Sequence, residues 1–186
     1  MKILTAIIGI FLFSGCASRL YTYKMTMERP QKSSNLYFEN DTLSMSFDFE
    51  TDVIKFKLYN KIEDGIRVNW DELSMSINGK AQRIVHKETG TYKITEVQPP
   101  TTVPPKTYLE DGIVPTSSVN YYSVNGRSNV SLKPIYPNDD QGSKKKREEI
   151  LSRKGERIVI FFPYYIRNNY RAMTFEFMID DITGHK

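Results

Sequence analysis

Apolar and polar residues alternate along most of this chain with a period of two, the pattern of strands that bury one face. Tyr21, Tyr23, Met25 and Met27 alternate with Thr22, Lys24, Thr26 and Glu28. Leu43, Met45, Phe47 and Phe49 do the same with Ser44, Ser46, Asp48 and Glu50, and Ile54, Phe56 and Leu58 are separated by Lys55 and Lys57 before Asn60. A turn at Glu63-Asp64-Gly65 leads into Ile66, Val68 and Trp70, and then into Leu73, Met75 and Ile77. Asn78-Gly79 predicts a tight hairpin into a strand ending at His86, because both residues tolerate the positive φ of a type I′ turn. Val119 to Val124, followed by Asn125-Gly126, reads as a further strand. Arg157 to Phe162 is apolar at five consecutive positions, which predicts a central strand covered on both faces, with Pro163 as its bulge or end. Asn168-Asn169 then turns the chain into Met173, Phe175, Phe177 and Ile179.

Two segments break the alternation. Residues 98 to 115 hold Pro99-Pro100, Pro104-Pro105 and Pro115, and proline supplies no ladder donor; the expectation is an extended strap along a sheet edge or across one end. Residues 143 to 154 predict the one helix, capped by Ser143 and ended by Gly155. Ile150 and Leu151 are its only apolar residues, too few for a broad buried stripe, so the expectation is a single exposed turn or two inserted between strands. Eight to ten short strands with almost no helix predict an all-β fold, an antiparallel β-sandwich of immunoglobulin-like type, with a closed barrel as the alternative. A chain of this size buries roughly 70% of its unfolded surface, enough to fold without a staple.

The amino terminus follows a different logic. Lys2 precedes an uncharged run from Ile3 to Phe13, and Ser14-Gly15 then place small residues before Cys16. A membrane-crossing helix needs roughly 20 apolar residues, so this run suits the core of a secretory signal peptide instead. Phe13-Ser14-Gly15-Cys16 resembles the lipobox of bacterial lipoproteins, in which the cysteine thiol is diacylated and the chain is cut just before it. Phe13 stands where that family usually has leucine. The resemblance implies a signal peptide over residues 1–15 and a single lipid-anchored β-sandwich domain over 16–186. Cys16 is then the lipidation site and the membrane its partner. Each buried methylene contributes about 0.8 kcal/mol, so two or three acyl chains (palmitate-like) hold a water-soluble domain firmly. Ala17, rather than Asp, follows the cysteine, which by the enterobacterial sorting rule implies the outer membrane of the cell envelope.

Composition narrows the function classes. The 186 residues are 39% hydrophobic and 26% charged, the profile of one globular domain. A single cysteine excludes a disulfide scaffold and a cysteine-ligated metal site. The net charge of +4 comes from 26 cations set against 22 anions, a balance that argues against nucleic acid as a partner. His86 and His185 are the only histidines and neither belongs to a metal-ligand motif, so no metal or other cofactor is expected. No nucleophile elbow, phosphate loop or dinucleotide fingerprint is present, and no catalytic residue is assigned. Glu63-Asp64 and Asp71-Glu72 read as turn residues, and the Tyr121-Tyr122 and Tyr164-Tyr165 pairs as cross-strand packing. Lys144-Lys145-Lys146-Arg147 is the sharpest charge run. It is either a solvated loop or a contact for anionic lipid headgroups or lipopolysaccharide phosphates beside the anchor.

Residues 38 to 86 carry Phe38-Glu39-Asn40-Asp41, Leu58-Tyr59-Asn60, Ile66-Arg67-Val68-Asn69-Trp70-Asp71, Asn78-Gly79-Lys80 and Arg83-Ile84-Val85-His86. This stretch resembles a pattern in uncharacterised bacterial envelope lipoproteins, which pair a lipobox with a β-sandwich. It implies a fold, with Trp70 as a core anchor and Asp71 at a turn, and no activity. The expected role is a non-enzymatic binding or scaffolding module of the envelope, with a protein of the envelope as partner. The alternatives are an accessory lipoprotein of a secretion, assembly or surface-exclusion complex and, behind it, an envelope hydrolase.

Overall fold

A computed structural model describes residues 18–86 and 97–185, so the leader and Cys16 lie outside the described residues. Thirteen strands and one helix follow in chain order: β1 (Leu20–Arg29), β2 (Tyr37–Glu39), β3 (Leu43–Phe49), β4 (Ile54–Asn60), β5 (Ile66–Val68), β6 (Ser74–Ile77), β7 (Lys80–His86), β8 (Thr101–Val103), β9 (Tyr108–Pro115), β10 (Val119–Val124), β11 (Arg127–Leu132), α1 (Lys144–Leu151), β12 (Arg157–Ile166) and β13 (Asn169–His185). The fold is the expected all-β antiparallel sandwich. One layer runs β1-β13-β12-β6, with β5 and β8 continuing beside β12, and the other runs β2-β3-β4-β9-β7. Strand β7 belongs to both: residues 80–83 pair with β6, while Ile84, Val85 and His86 pair with β9. The sheet is therefore continuous around that corner and nearly closed.

The core is aromatic because the period-two face of each sheet points its large residues at the other. Phe47 of β3 meets Phe175 and Phe177 of β13 with ring centroids 4.8 and 5.0 Å apart, and Phe56 of β4 meets Phe162 of β12 at 5.7 Å. Such tilted and edge-on pairs add to the area they bury. Trp70 is wholly buried in a single 3-10 turn, Trp70–Glu72, rather than at the end of a longer β5. Its ring contacts Phe56, and its Nε1–H donates to Thr101 Oγ1 at 2.9 Å. A smaller apolar cluster of Val53, Val85, Val114 and Val119 seats the base of the β10–β11 hairpin on the outside of the second layer. Asn125 and Gly126 make that hairpin's turn with φ of 52° and 75°, and Asn78 and Gly79 make the β6–β7 turn with 50° and 77°.

Three expectations are corrected. The proline-rich stretch is a strap only in part: β8 is a short strand paired with β5, but β9 is a central strand between β4 and β7. Its prolines sit at or beyond its ends, so residues 108 to 114 keep all their donors. Pro163 neither ends nor bulges β12, whose register with β13 runs unbroken from Arg157 to Ile166. On its other side β12 pairs with β6 as far as Phe161 and with β5 from Tyr164 onward, and the missing N–H falls in that gap. Strand β12 is central, yet Val159 and Phe161 on its outer face are only half-buried, so one face, not two, lies in the core. The helix is the short one expected, about two turns from Lys144 to Leu151, and Gly155 follows with φ of 86°.

A buried amide holds the β8–β9 connection. Asn60 is fully buried; its Nδ2 donates to the carbonyls of Asp64, Val103 and Pro104 at 2.7, 3.0 and 3.1 Å, and its Oδ1 accepts from Ile62 N–H. Asn60→Leu leaves those carbonyls without a donor, at about 1–3 kcal/mol for such unmet groups. The expected result is a lower urea midpoint with an unchanged slope, measured by tryptophan fluorescence.

Candidate functional site

The loop Pro137–Ser143 ties the first described residues to the helix. Two aspartates shape it: Asp139 Oδ1 accepts from Gln141 N–H at 2.7 Å and Asp140 Oδ1 from Gly142 N–H at 2.9 Å, the side-chain turns that Asp favours. Gln141 and Gly142 adopt φ of 48° and 71°. Ser143 N–H then donates to Asp140 O at 2.7 Å, and Ser143 Oγ caps α1 by accepting from Lys146 N–H.

Asp140 is the centre of this knot. Its side chain has no solvent exposure, and besides Gly142 it accepts from Arg19 N–H at 2.9 Å, Tyr21 OH at 3.0 Å and Arg147 Nε at 2.9 Å. Burial by itself raises the carboxyl pKa, but the backbone hydrogen bonds from Arg19 and Gly142, then those from Arg147 and Tyr21, outweigh it. They hold the group well below the usual carboxylate range. Main-chain bonds join the same segments: Tyr21 N–H to Asn138 O at 2.8 Å and Asp140 N–H to Arg19 O at 3.2 Å. Ser18 Oγ donates to Asp139, and Tyr23 OH donates to Pro137 O at 2.6 Å. Burial pushes the Tyr23 phenol up to about 12. The chain is thus locked into the domain from Ser18 onward.

The basic run divides between the inside and the outside of this knot. Arg147 turns inward to Asp140, while Lys144, Lys145 and Lys146 are exposed at the start of α1. Lys144 is 89% exposed, 3.8 Å from Glu148, and Lys146 donates to Gln141. The first turn of α1 contains no acid. This is the reverse of what a helix prefers, since carboxylates belong at the N-terminal end and each favourable charge there is worth about 0.3–1 kcal/mol. Three lysines at that end do nothing for the helix itself.

Most of the other sequence candidates pair with groups of the domain itself. His86 Nδ1 lies 3.0 Å from Asp111 Oδ2, both side chains are buried, and the Trp70 ring stacks on the imidazole at 4.3 Å and 8°. Gln98 braces the same corner, accepting from His86 N–H and donating to Ile84 O. His185 Nε2 lies 3.2 Å from Thr22 Oγ1. Asp71 pairs with Arg83 and Asp64 with Arg167; Glu63 pairs with Lys106 and Glu72 accepts from Tyr165 OH. Tyr164 is buried and Tyr165 half-buried, as expected of packing residues, but Tyr121 and Tyr122 are nearly half exposed on the β10–β11 hairpin. Among the described residues no group of three or more His, Cys, Asp and Glu is placed to hold a metal. No helix among them is long and apolar enough to cross a membrane.

The sequence reading did not single out Asp140 or Gln98. Asp140 sits in Asn-Asp-Asp-Gln-Gly-Ser, a run that signals a turn and a helix cap; its partners Tyr21 and Arg147 leave no local trace. The chain matches no family model, no curated protein and no solved structure.

Proposed function

We propose that this protein is a lipid-anchored protein of the bacterial envelope, attached through acyl chains on Cys16, with its β-sandwich as a non-catalytic binding or scaffolding module. The observation that carries the reading is the position of the sole cysteine, just after an apolar run of signal-peptide length and two small residues. The knot around Asp140 fits it: Ser18, two residues beyond Cys16, is hydrogen-bonded to Asp139, and Arg19 to Asp140, so an anchor at Cys16 would hold the domain close to the bilayer. Ala17 favours the outer membrane. The projecting β10–β11 hairpin, with Tyr121, Tyr122 and Val124 on its exposed surface, supports a protein partner and keeps the accessory-lipoprotein role as the second reading.

Cys16→Ala tests the anchor. In cells fed a radiolabelled fatty acid, the wild-type chain is expected to take up label and sediment with membranes, whereas the variant takes up none and leaves the membrane fraction in mature form or persists as precursor. Label on the variant would contradict the assignment.

A further inference from the structure

Resting on that reading, we propose that Lys144, Lys145 and Lys146 are the footing of the domain on the membrane, where they bind the phosphates of anionic phospholipid headgroups. Three observations place them there. First, Ser18 is fixed to Asp139 and Arg19 to Asp140, while Cys16 stands two residues earlier, at most about 7 Å of chain away. Second, the turn from Asp140 to Ser143 is closed by a 2.7 Å hydrogen bond, which keeps its ends within about 7 Å and starts α1 beside the tether. Third, the charges along α1 are sorted: the exposed lysines occupy the turn nearest the tether, and Glu148 and Glu149 lie a turn further along the axis. Glu148 reaches to 3.8 Å of Lys144, and among the described residues neither acid pairs with Lys145 or Lys146. Of the two aspartates beside the tether, Asp140 is paired with Arg147, and Asp139 accepts from Ser18 and Gln141.

The arrangement divides the labour within one basic run. Arg147, bound to the buried Asp140, fixes the direction of the helix, and the three lysines use it. Acyl chains alone tether a domain without orienting it. Lysines held within roughly a Debye length (about 8–10 Å) of the headgroups add a salt-sensitive attraction that selects one orientation. Each lysine near an anionic surface strengthens that attraction by about fivefold.

The test uses the full acylated protein purified from membranes and placed in vesicles of phosphatidylcholine alone or with 30% phosphatidylglycerol. Lysine reactivity toward a water-soluble acylating reagent is read by mass spectrometry, with the exposed Lys57 and Lys106 as internal references. In phosphatidylglycerol vesicles Lys144, Lys145 and Lys146 are expected to be labelled several-fold more slowly than in phosphatidylcholine, and 0.5 M salt to erase the difference. The triple variant K144E/K145E/K146E is expected to remain vesicle-bound. Its Lys154, further along the same segment, is then expected to react at the same rate in both vesicle types. Equal labelling of the three wild-type lysines in both vesicle types, on acylated and vesicle-bound protein, would overturn the footing and leave the anchor standing. Purified protein without acyl chains would overturn the anchor, and the footing with it.

Discussion

Trp70→Ala is expected to lower the unfolding free energy by about 3–5 kcal/mol, the range for removing a wholly buried aromatic ring. Three contacts go at once: the stack on His86, the contact with Phe56 and the hydrogen bond to Thr101. They join the two layers at the corner where β7 passes from one to the other. Neighbours anchored in strands cannot collapse into the space. Urea unfolding followed by circular dichroism checks it, with a lower midpoint at constant slope as the expected result. Trp70→Phe is expected to recover most of the loss and to miss the part supplied by the indole N–H. A loss below about 1 kcal/mol for Trp70→Ala would mean the corner is not a keystone.

Asp140→Asn is expected to be the most damaging change among the aspartates and glutamates, lowering the Tm by more than Glu63→Gln or Glu110→Gln. Those two carboxylates are exposed, whereas Asp140 is buried and accepts from four donors on three segments. An amide has one oxygen, so it cannot serve Arg19, Gly142, Tyr21 and Arg147 together, and the guanidinium loses its counter-charge. The same carboxylate gives the protein an acid limit. Its pKa is depressed in the folded state, so the unfolded chain binds the proton more readily. Its stabilisation is complete above the ordinary carboxylate value of about 4 and is lost progressively as pH falls below it. Asp139 and Asp181 are depressed in the same direction by the hydroxyl of Ser18 and the ammonium of Lys154. Thermal melts between pH 7 and pH 2 are expected to show the wild type losing Tm steeply over the acid half, with Asp140→Asn flatter there. Parallel profiles would remove Asp140 as the source.

Alternation made most strands legible, because each sheet buries one face more than the other, as buried Leu43, Met45 and Phe47 show against half-buried Ser44 and Ser46 and exposed Asp48. It failed where tertiary pairing overrides a local signal. Strand β9 reads as strap because prolines bracket it, and Pro163 reads as a bulge or strand end because nothing in the sequence reveals a gap between β6 and β5. Trp70 was recognisable as an anchor from its place among apolar alternates. Within the basic run, Arg147 looks like one more cation, and only the fold shows that it faces Asp140. The features around Cys16 have the opposite character: they are written in a contiguous stretch, and the fold adds that Ser18 and Arg19, just beyond them, bond to Asp139 and Asp140.

Attachment by acyl chains at Cys16 is the claim on which orientation, location and role depend. Mass spectrometry of the amino-terminal peptide of protein extracted from its native membranes tests it most directly. The expected result is a peptide that begins at Cys16 and carries the mass of two or three fatty acyl chains with their glycerol. A peptide with an unmodified Cys16, whether it retains residues 1–15 or begins elsewhere, would contradict the account.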